Sequence, residues 1–165
     1  LFLVFYFFQN FLSPAAFILV NPADYIQISH VSATFSKNDI LGDEVFYAIA
    51  SVKATWSKNL PLFYLASGAK ATFSIEAQNK TTGSWEILNS AYTVNVKSIP
   101  KKKGEYFKFE DKIPLQFAQK SKTGEYKVVV RVVRAEVKFI FWGWIDLTNY
   151  FPEVGNIGLV KYASF

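Results

Sequence analysis

From Asp24 onward, apolar and polar residues alternate nearly one for one, and a period of two is incompatible with a helical body. Between Glu44 and Trp56, the residues Phe46, Ala48, Ala50, Val52, Ala54 and Trp56 fall on one side. Val45, Tyr47, Ser51, Lys53 and Thr55 fall on the other. Consecutive side chains of an extended strand leave opposite faces of a sheet, so this stretch has one apolar and one wetter face. Ala71, Phe73, Ile75 and Ala77 alternate in the same way with Thr72, Ser74 and Glu76. Tyr92, Val94 and Val96 alternate with Thr93, Asn95 and Lys97; Phe107, Phe109, Ile113, Leu115 and Phe117 extend the pattern. The interruptions carry turn chemistry: Asn79-Lys80-Thr81-Thr82-Gly83 in one place, Ile99-Pro100 followed by Lys101, Lys102, Lys103 and Gly104 in another.

Two slips of phase stand out. Tyr126, Val128, Val130 and Val132 share a face, after which Val133, Ala135, Val137, Phe139 and Phe141 take over the apolar side. A one-residue slip without a turn signal predicts a β-bulge. A similar slip falls near His30, between Ile26/Ile28 and Val31/Ala33/Phe35. Residues 157–165 read as a last strand, and Leu60 to Ser67 has room for a single helical turn. The expectation is an all-β domain over residues 24–165, with about seven or eight strands in a two-sheet sandwich or a closed barrel. Lys122-Thr123-Gly124-Glu125-Tyr126, ahead of a long Val-rich strand, has the form of a tyrosine corner, which favours an immunoglobulin-like sandwich. The competing reading of Tyr126 is an ordinary half-buried strand residue.

Residues 1–23 differ from everything after them. They carry no charge and hold six of the chain's 17 phenylalanines. Three roles fit. An export segment explains the apolar run followed by Ser13-Pro14-Ala15, although a basic stretch ahead of the run is missing. A membrane anchor explains the length, since twenty helical residues span about 30 Å; Gln9, Asn10 and Pro14 weaken it. A β-strand donated to a neighbouring subunit explains the Phe- and Val-rich opening, and makes residues 1–20 the linker of a filament.

Composition removes several classes of chemistry. With no cysteine, the chain forms no disulfide, thiolate metal site or cysteine nucleophile. A single histidine, His30, cannot build a multi-histidine zinc site. No Gly-x-Ser-x-Gly elbow and no phosphate-cradling glycine loop occurs. Thirteen carboxylates permit a glycosidase pair in principle, but none is marked out by its setting. No catalytic residue, cofactor or metal site is expected. Asn38, Asp39, Asp43 and Glu44 cluster around Gly42, but their spacing is not that of a calcium loop, and a turn accounts for them.

The candidate contact residues are few. Trp142 and Trp144, two apart around Gly143, would share a face if they lay on one strand. Exposed, they would stack on sugar rings or anchor at a membrane interface or partner surface; buried, they are core. Lys101, Lys102 and Lys103 form a candidate patch for an anionic partner, in a region, residues 98–138, that holds 11 of the 18 lysines and arginines. The competing reading is a solvated turn. Interleaved exposed aromatics are lacking there, so no nucleic acid is expected as a partner. Asn79-Lys80-Thr81 is a glycosylation sequon, with Asn79 as its acceptor.

From about Tyr92 onward the chain resembles the CARDB-like immunoglobulin-like domains of prokaryotic cell surfaces. Ile113-Pro114-Leu115, Gly124-Glu125-Tyr126 and Gly158-Leu159-Val160-Lys161-Tyr162 carry the resemblance. It implies a secreted or cell-surface role in adhesion, binding or surface structure rather than catalysis, with a protein, a polysaccharide or another copy of the chain as partner. Membrane contact would come through residues 1–20 alone. Gly83-Ser84-Trp85 also spells the Gly-x-Trp signature of lipocalins, but in mid-chain rather than on the first strand. Besides the surface module, two further functions remain open: a filament subunit, and a carbohydrate-binding module using Trp142 and Trp144.

Overall fold

The computed structural model describes residues 25–60, 65–151, 155 and 158–165. Nine strands lie among them: β1 (Ile26–Phe35), β2 (Asp39–Leu41), β3 (Phe46–Trp56), β4 (Ala66–Asn79), β5 (Trp85–Val96), β6 (Tyr106–Leu115), β7 (Gly124–Phe139), β8 (Gly143–Asp146) and β9 (Gly158–Ala163). A 3-10 turn spans Thr148–Tyr150. One sheet has the order β1-β3-β6 and the other β2-β9-β7-β4-β5, with β8 hairpinned onto the end of β7. Every pairing is antiparallel except that of β2 with β9, which is parallel. The chain passes between the sheets after β1, β2, β3, β5 and β6. This is the Greek-key connectivity of an immunoglobulin-like sandwich. The strand count exceeds the expected seven or eight because β2 and β8, at three and four residues, are too short to display a period.

Alternation places the core where the residues predicted it. All six apolar positions from Phe46 to Trp56 are buried. Register then pairs small with large: Ala54 lies beside Phe107, Val52 beside Phe109, and Ala48 beside Ile113. In the opposing sheet Ala77, Ile75 and Phe73 of β4 lie beside Val128, Val130 and Val132 of β7. Phe46, Phe73 and Phe109 are fully buried, each stabilising the fold by about 1.5–3 kcal/mol. An aromatic cluster closes one end of the core. Phe117 stacks on Tyr162 at 4.4 Å between ring centroids and meets Tyr126 at 4.8 Å.

Both bulges are present. Register shifts between Ile28 and His30 in β1. On β7 it shifts where Thr72 and Phe73 face Arg134 and Val132, leaving Val133 as the extra residue. The slip falls one residue later than the pattern predicted: Val133 is exposed, and the inward face resumes at Ala135. Phe141 is also corrected. It lies beyond the end of β7, in a turn, and is exposed. Ser67 is in β4, not in a helical turn. Residues 61–64 and 1–23 lie outside the described residues, and with them the three roles considered for the leader.

Tyr126 forms the expected corner at the start of β7. Its hydroxyl donates to the Lys122 carbonyl at 2.7 Å and lies 3.0 Å from Glu86 Oε1, while Ser121 hydrogen-bonds the other Glu86 oxygen. Burial pushes the phenol pKa up, so the group stays a neutral donor. Asn79 faces it across the β4–β7 ladder. Removing only the hydroxyl, as Tyr126→Phe, leaves the ring in place but the part-buried Lys122 carbonyl without its donor and Glu86 with one contact fewer. The expected cost is about 1–3 kcal/mol. Chemical denaturation checks it as a lower midpoint at unchanged slope.

Candidate functional site

The strand directions bring one set of connections to one end of the sandwich. β3 ends at Trp56 opposite the start of β1 at Ile26. β4 begins at Ala66 opposite the end of β7 at Phe139. The β3–β4, β5–β6 and β7–β8 connections therefore lie together, beside the point where residue 25 enters β1. Backbone bonds join them: Leu60 N–H donates to the Lys101 carbonyl at 3.3 Å and Ile140 N–H to the Leu65 carbonyl at 3.0 Å.

The β7–β8 turn is the apolar part of this end. Trp142 N–H donates to the Phe139 carbonyl at 3.3 Å, and Gly143 follows with φ +72°. A tight turn closed by a left-handed glycine is a standard three-residue hairpin loop, and a side chain at Gly143 would be strained there. The geometry aims Ile140 and Phe141 outward, where they are 58% and 64% exposed. Trp142 folds back and packs against the core. Trp144 stands on β8, 43% exposed, with the Lys70 ammonium 4.3 Å and the Lys138 ammonium 5.9 Å from its ring centroid. The two tryptophans thus do not share a strand face, because Trp142 belongs to the turn.

The basic part is the β5–β6 turn. Lys101, Lys102 and Lys103 are exposed. Trp56 anchors the loop from below: its indole N–H donates to the Pro100 carbonyl at 2.6 Å. Glu105 Oε2 accepts from the Lys101 and Lys102 N–H groups at 3.1 and 2.9 Å, and Asn59 Oδ1 accepts from Lys103 N–H at 2.8 Å. The backbone is held, and the three ammonium groups point at solvent. Residues forty positions apart in sequence, Lys101–Lys103 and Trp142–Trp144, thereby share one end of the fold. Lys58, Lys70, Lys138 and Ile140 belong with them, as does Phe141, which alternation alone places on the inward face. Gly143 was the available signal, as a residue able to turn the chain within an apolar tract.

Behind this end the surface of the larger sheet is a charge network. Glu136 is buried between Lys70 at 3.0 Å and Arg134 at 2.9 Å, and Arg131 pairs with Glu76 at 3.2 Å. Where β8 stops, β7 would lose its edge partner. Thr148 replaces it. Its Oγ1 accepts from Ala135 N–H at 3.0 Å and donates to Asp146 Oδ1 at 2.5 Å. Hydrogen bonds from the Thr148 hydroxyl and N–H hold the Asp146 carboxyl below its ordinary pKa.

The remaining candidates have structural roles. Asn79, the expected glycan acceptor, is 1% exposed, its Oδ1 accepts from Thr81 and Thr82 N–H, and its amide lies against Gly124. Glu44 pairs with Lys37, which lowers its pKa, and also accepts from Leu41 N–H. Among the described residues, no group of three or more His, Cys, Asp or Glu side chains converges, and no helix is long and apolar enough to cross a membrane.

No family model and no curated protein matches this chain. Among solved structures it is similar to a CARDB domain from Pyrococcus furiosus, solved in complex with di-metal ions. The match has a TM-score of 0.41 and 13% identity, and covers 86% of this chain and 97% of that one.

Trp142→Ala is expected to cost about 2–4 kcal/mol and lower the melting temperature by several degrees, as loss of packed aromatic surface. Trp144→Ala, exposed and held by cation–π contacts, is expected to cost about 1 kcal/mol or less. Thermal melts of the pair test the assignment, and reversed magnitudes would contradict it. Asp146, whose folded pKa is lowered, stabilises the fold above its unfolded pKa and loses that contribution as pH falls through the folded value. Asp146→Asn should therefore flatten the acid side of the stability–pH profile, measured by denaturant midpoints across that range.

Proposed function

We propose that this chain is a non-enzymatic, cell-exterior module that makes its contacts through the end carrying Ile140, Phe141, Trp144 and the Lys101–Lys103 turn. The observation that carries the reading is a contrast within the fold. Polar side chains in the interior are committed to structure: Asn79 to a turn, Tyr126 and Ser121 to the corner, Glu136 to an ion-pair network. Large apolar side chains are left uncovered at a turn whose backbone is firmly set. Apolar area exposed at a rigid tip favours association over solvation. It serves neither packing nor the solubility of the sandwich.

A sugar-stacking platform is less well supported. Such a platform needs an open aromatic face, and Lys70 occupies a face of Trp144 while Trp142 packs on the core. Self-assembly through residues 1–20 is a separate matter that concerns residues outside those described.

Two measurements test the proposal together. Protease added to intact source cells should digest the protein, which requires an exterior location. In addition, Ile140→Ser/Phe141→Ser should melt like the parent, since neither side chain is buried, yet lose retention on the cell envelope. Full protection from protease, or unchanged retention of the double variant, would overturn it.

A further inference from the structure

We infer that this end of the sandwich docks on an anionic phospholipid surface, with Ile140 and Phe141 entering among the headgroups. The inference rests on reading this end as the contact surface and names what it meets.

The first argument is the size of the apolar tip. At this end Ile140 and Phe141 are 58% and 64% exposed and Trp144 43%, while Ile87 at 66% and Phe165 at 90% are exposed elsewhere. Two or three side chains bury far less than the roughly 1,000 Å² that a stable protein interface needs. They suit a wedge that enters the boundary between headgroups and acyl chains. Trp144 then sits at the depth where indole rings collect, apolar body inward and polar edge toward water.

The second argument is charge. The three connections at this end, residues 57–65, 97–105 and 140–142, carry Lys58, Lys97, Lys101, Lys102 and Lys103 against one carboxylate, Glu105. Glu105, itself exposed, accepts from backbone N–H groups of its own loop. Lys138 and Lys70, the latter paired with Glu136, flank Trp144. An apolar tip ringed by lysines is complementary to a negatively charged bilayer, where the ring stays among phosphates while the tip leaves water. The opposite end is more mixed: its connections carry Lys37, Lys80, Lys120 and Lys122 together with Asp43 and Glu44, Lys37 and Lys80 are paired to Glu44 and Glu125, and Leu41 and Phe165 are its exposed apolar residues.

The absence of cysteine makes the experiment clean, because one introduced cysteine is the only label site. Full-length Phe141→Cys carrying an environment-sensitive fluorophore is mixed with vesicles of phosphatidylglycerol and phosphatidylcholine, or of phosphatidylcholine alone. Thr82→Cys, in an exposed turn at the opposite end, is the second label. The expected result is a blue shift and brightening at 141 on the anionic vesicles, little change on the neutral ones, and none at 82. Adding Lys101→Gln, Lys102→Gln and Lys103→Gln should weaken the response, by roughly fivefold per lysine in the vesicle concentration required. No response at 141 on either vesicle would overturn the lipid assignment, while the envelope-retention assay above stands or falls by itself. Equal responses on neutral vesicles, or no loss in the triple variant, would overturn the anionic headgroup as the partner. A shift without vesicles that grows with protein concentration would instead put a second copy of the chain on this surface and overturn the inference.

Discussion

The pleat of an extended chain is the constraint from which the rest of this molecule follows. It sends alternate side chains to opposite faces, so each strand that carries apolar residues at every second position can bury one face. Two sheets then cover each other. The interior works because register matches size: Ala54, Val52 and Ala48 of β3 lie beside Phe107, Phe109 and Ile113 of β6, and the larger side chains fill space that a uniform row would leave empty. A slip of one residue would turn Phe107, Phe109 and Trp56 to solvent together. Register is correspondingly protected, by a bulge in β1, by another in β7, and by the tyrosine corner at the start of β7.

Each end of the sandwich handles its buried polar groups differently. At one end Tyr126, Glu86, Ser121 and the Lys122 carbonyl form a connected set, and Asn79 folds its own turn. At the other, Trp56 reaches out of the core to the Pro100 carbonyl while Glu105 and Asn59 collect the N–H groups of the lysine turn. The first arrangement is inward and structural. The second fixes a loop from below and leaves its three lysines exposed.

How much of this could be read from residues alone depended on the length of the pattern. β3, β4 and β7 have 11, 14 and 16 residues, so their period was legible, and the bulge in β7 was placed to within one residue. β2 and β8 were not legible, since three or four residues carry no period. Phe141 was assigned inward because alternation continues through it; the chain turns instead, at a glycine whose positive φ no pattern of hydropathy reports. Asn79 matched a modification motif that depends on three residues, while its burial depends on Gly124 and Tyr126, far away in sequence. The meeting of Lys101–Lys103 with the β7–β8 turn is a product of topology, invisible until strand order is known.

The parallel pairing of β2 with β9 has a mechanical consequence. The chain enters β1 at one end of the sandwich, and β9 delivers it to the other, near Gly42 and Thr123. Tension applied between residues 25 and 165 therefore runs along the strands rather than across them. β1 is drawn past β3, and β9 past β2 and β7, so whole ladders must rupture at once instead of parting bond by bond. A module placed in this way between an anchored point and a pulled one would resist extension far better than its equilibrium stability alone suggests.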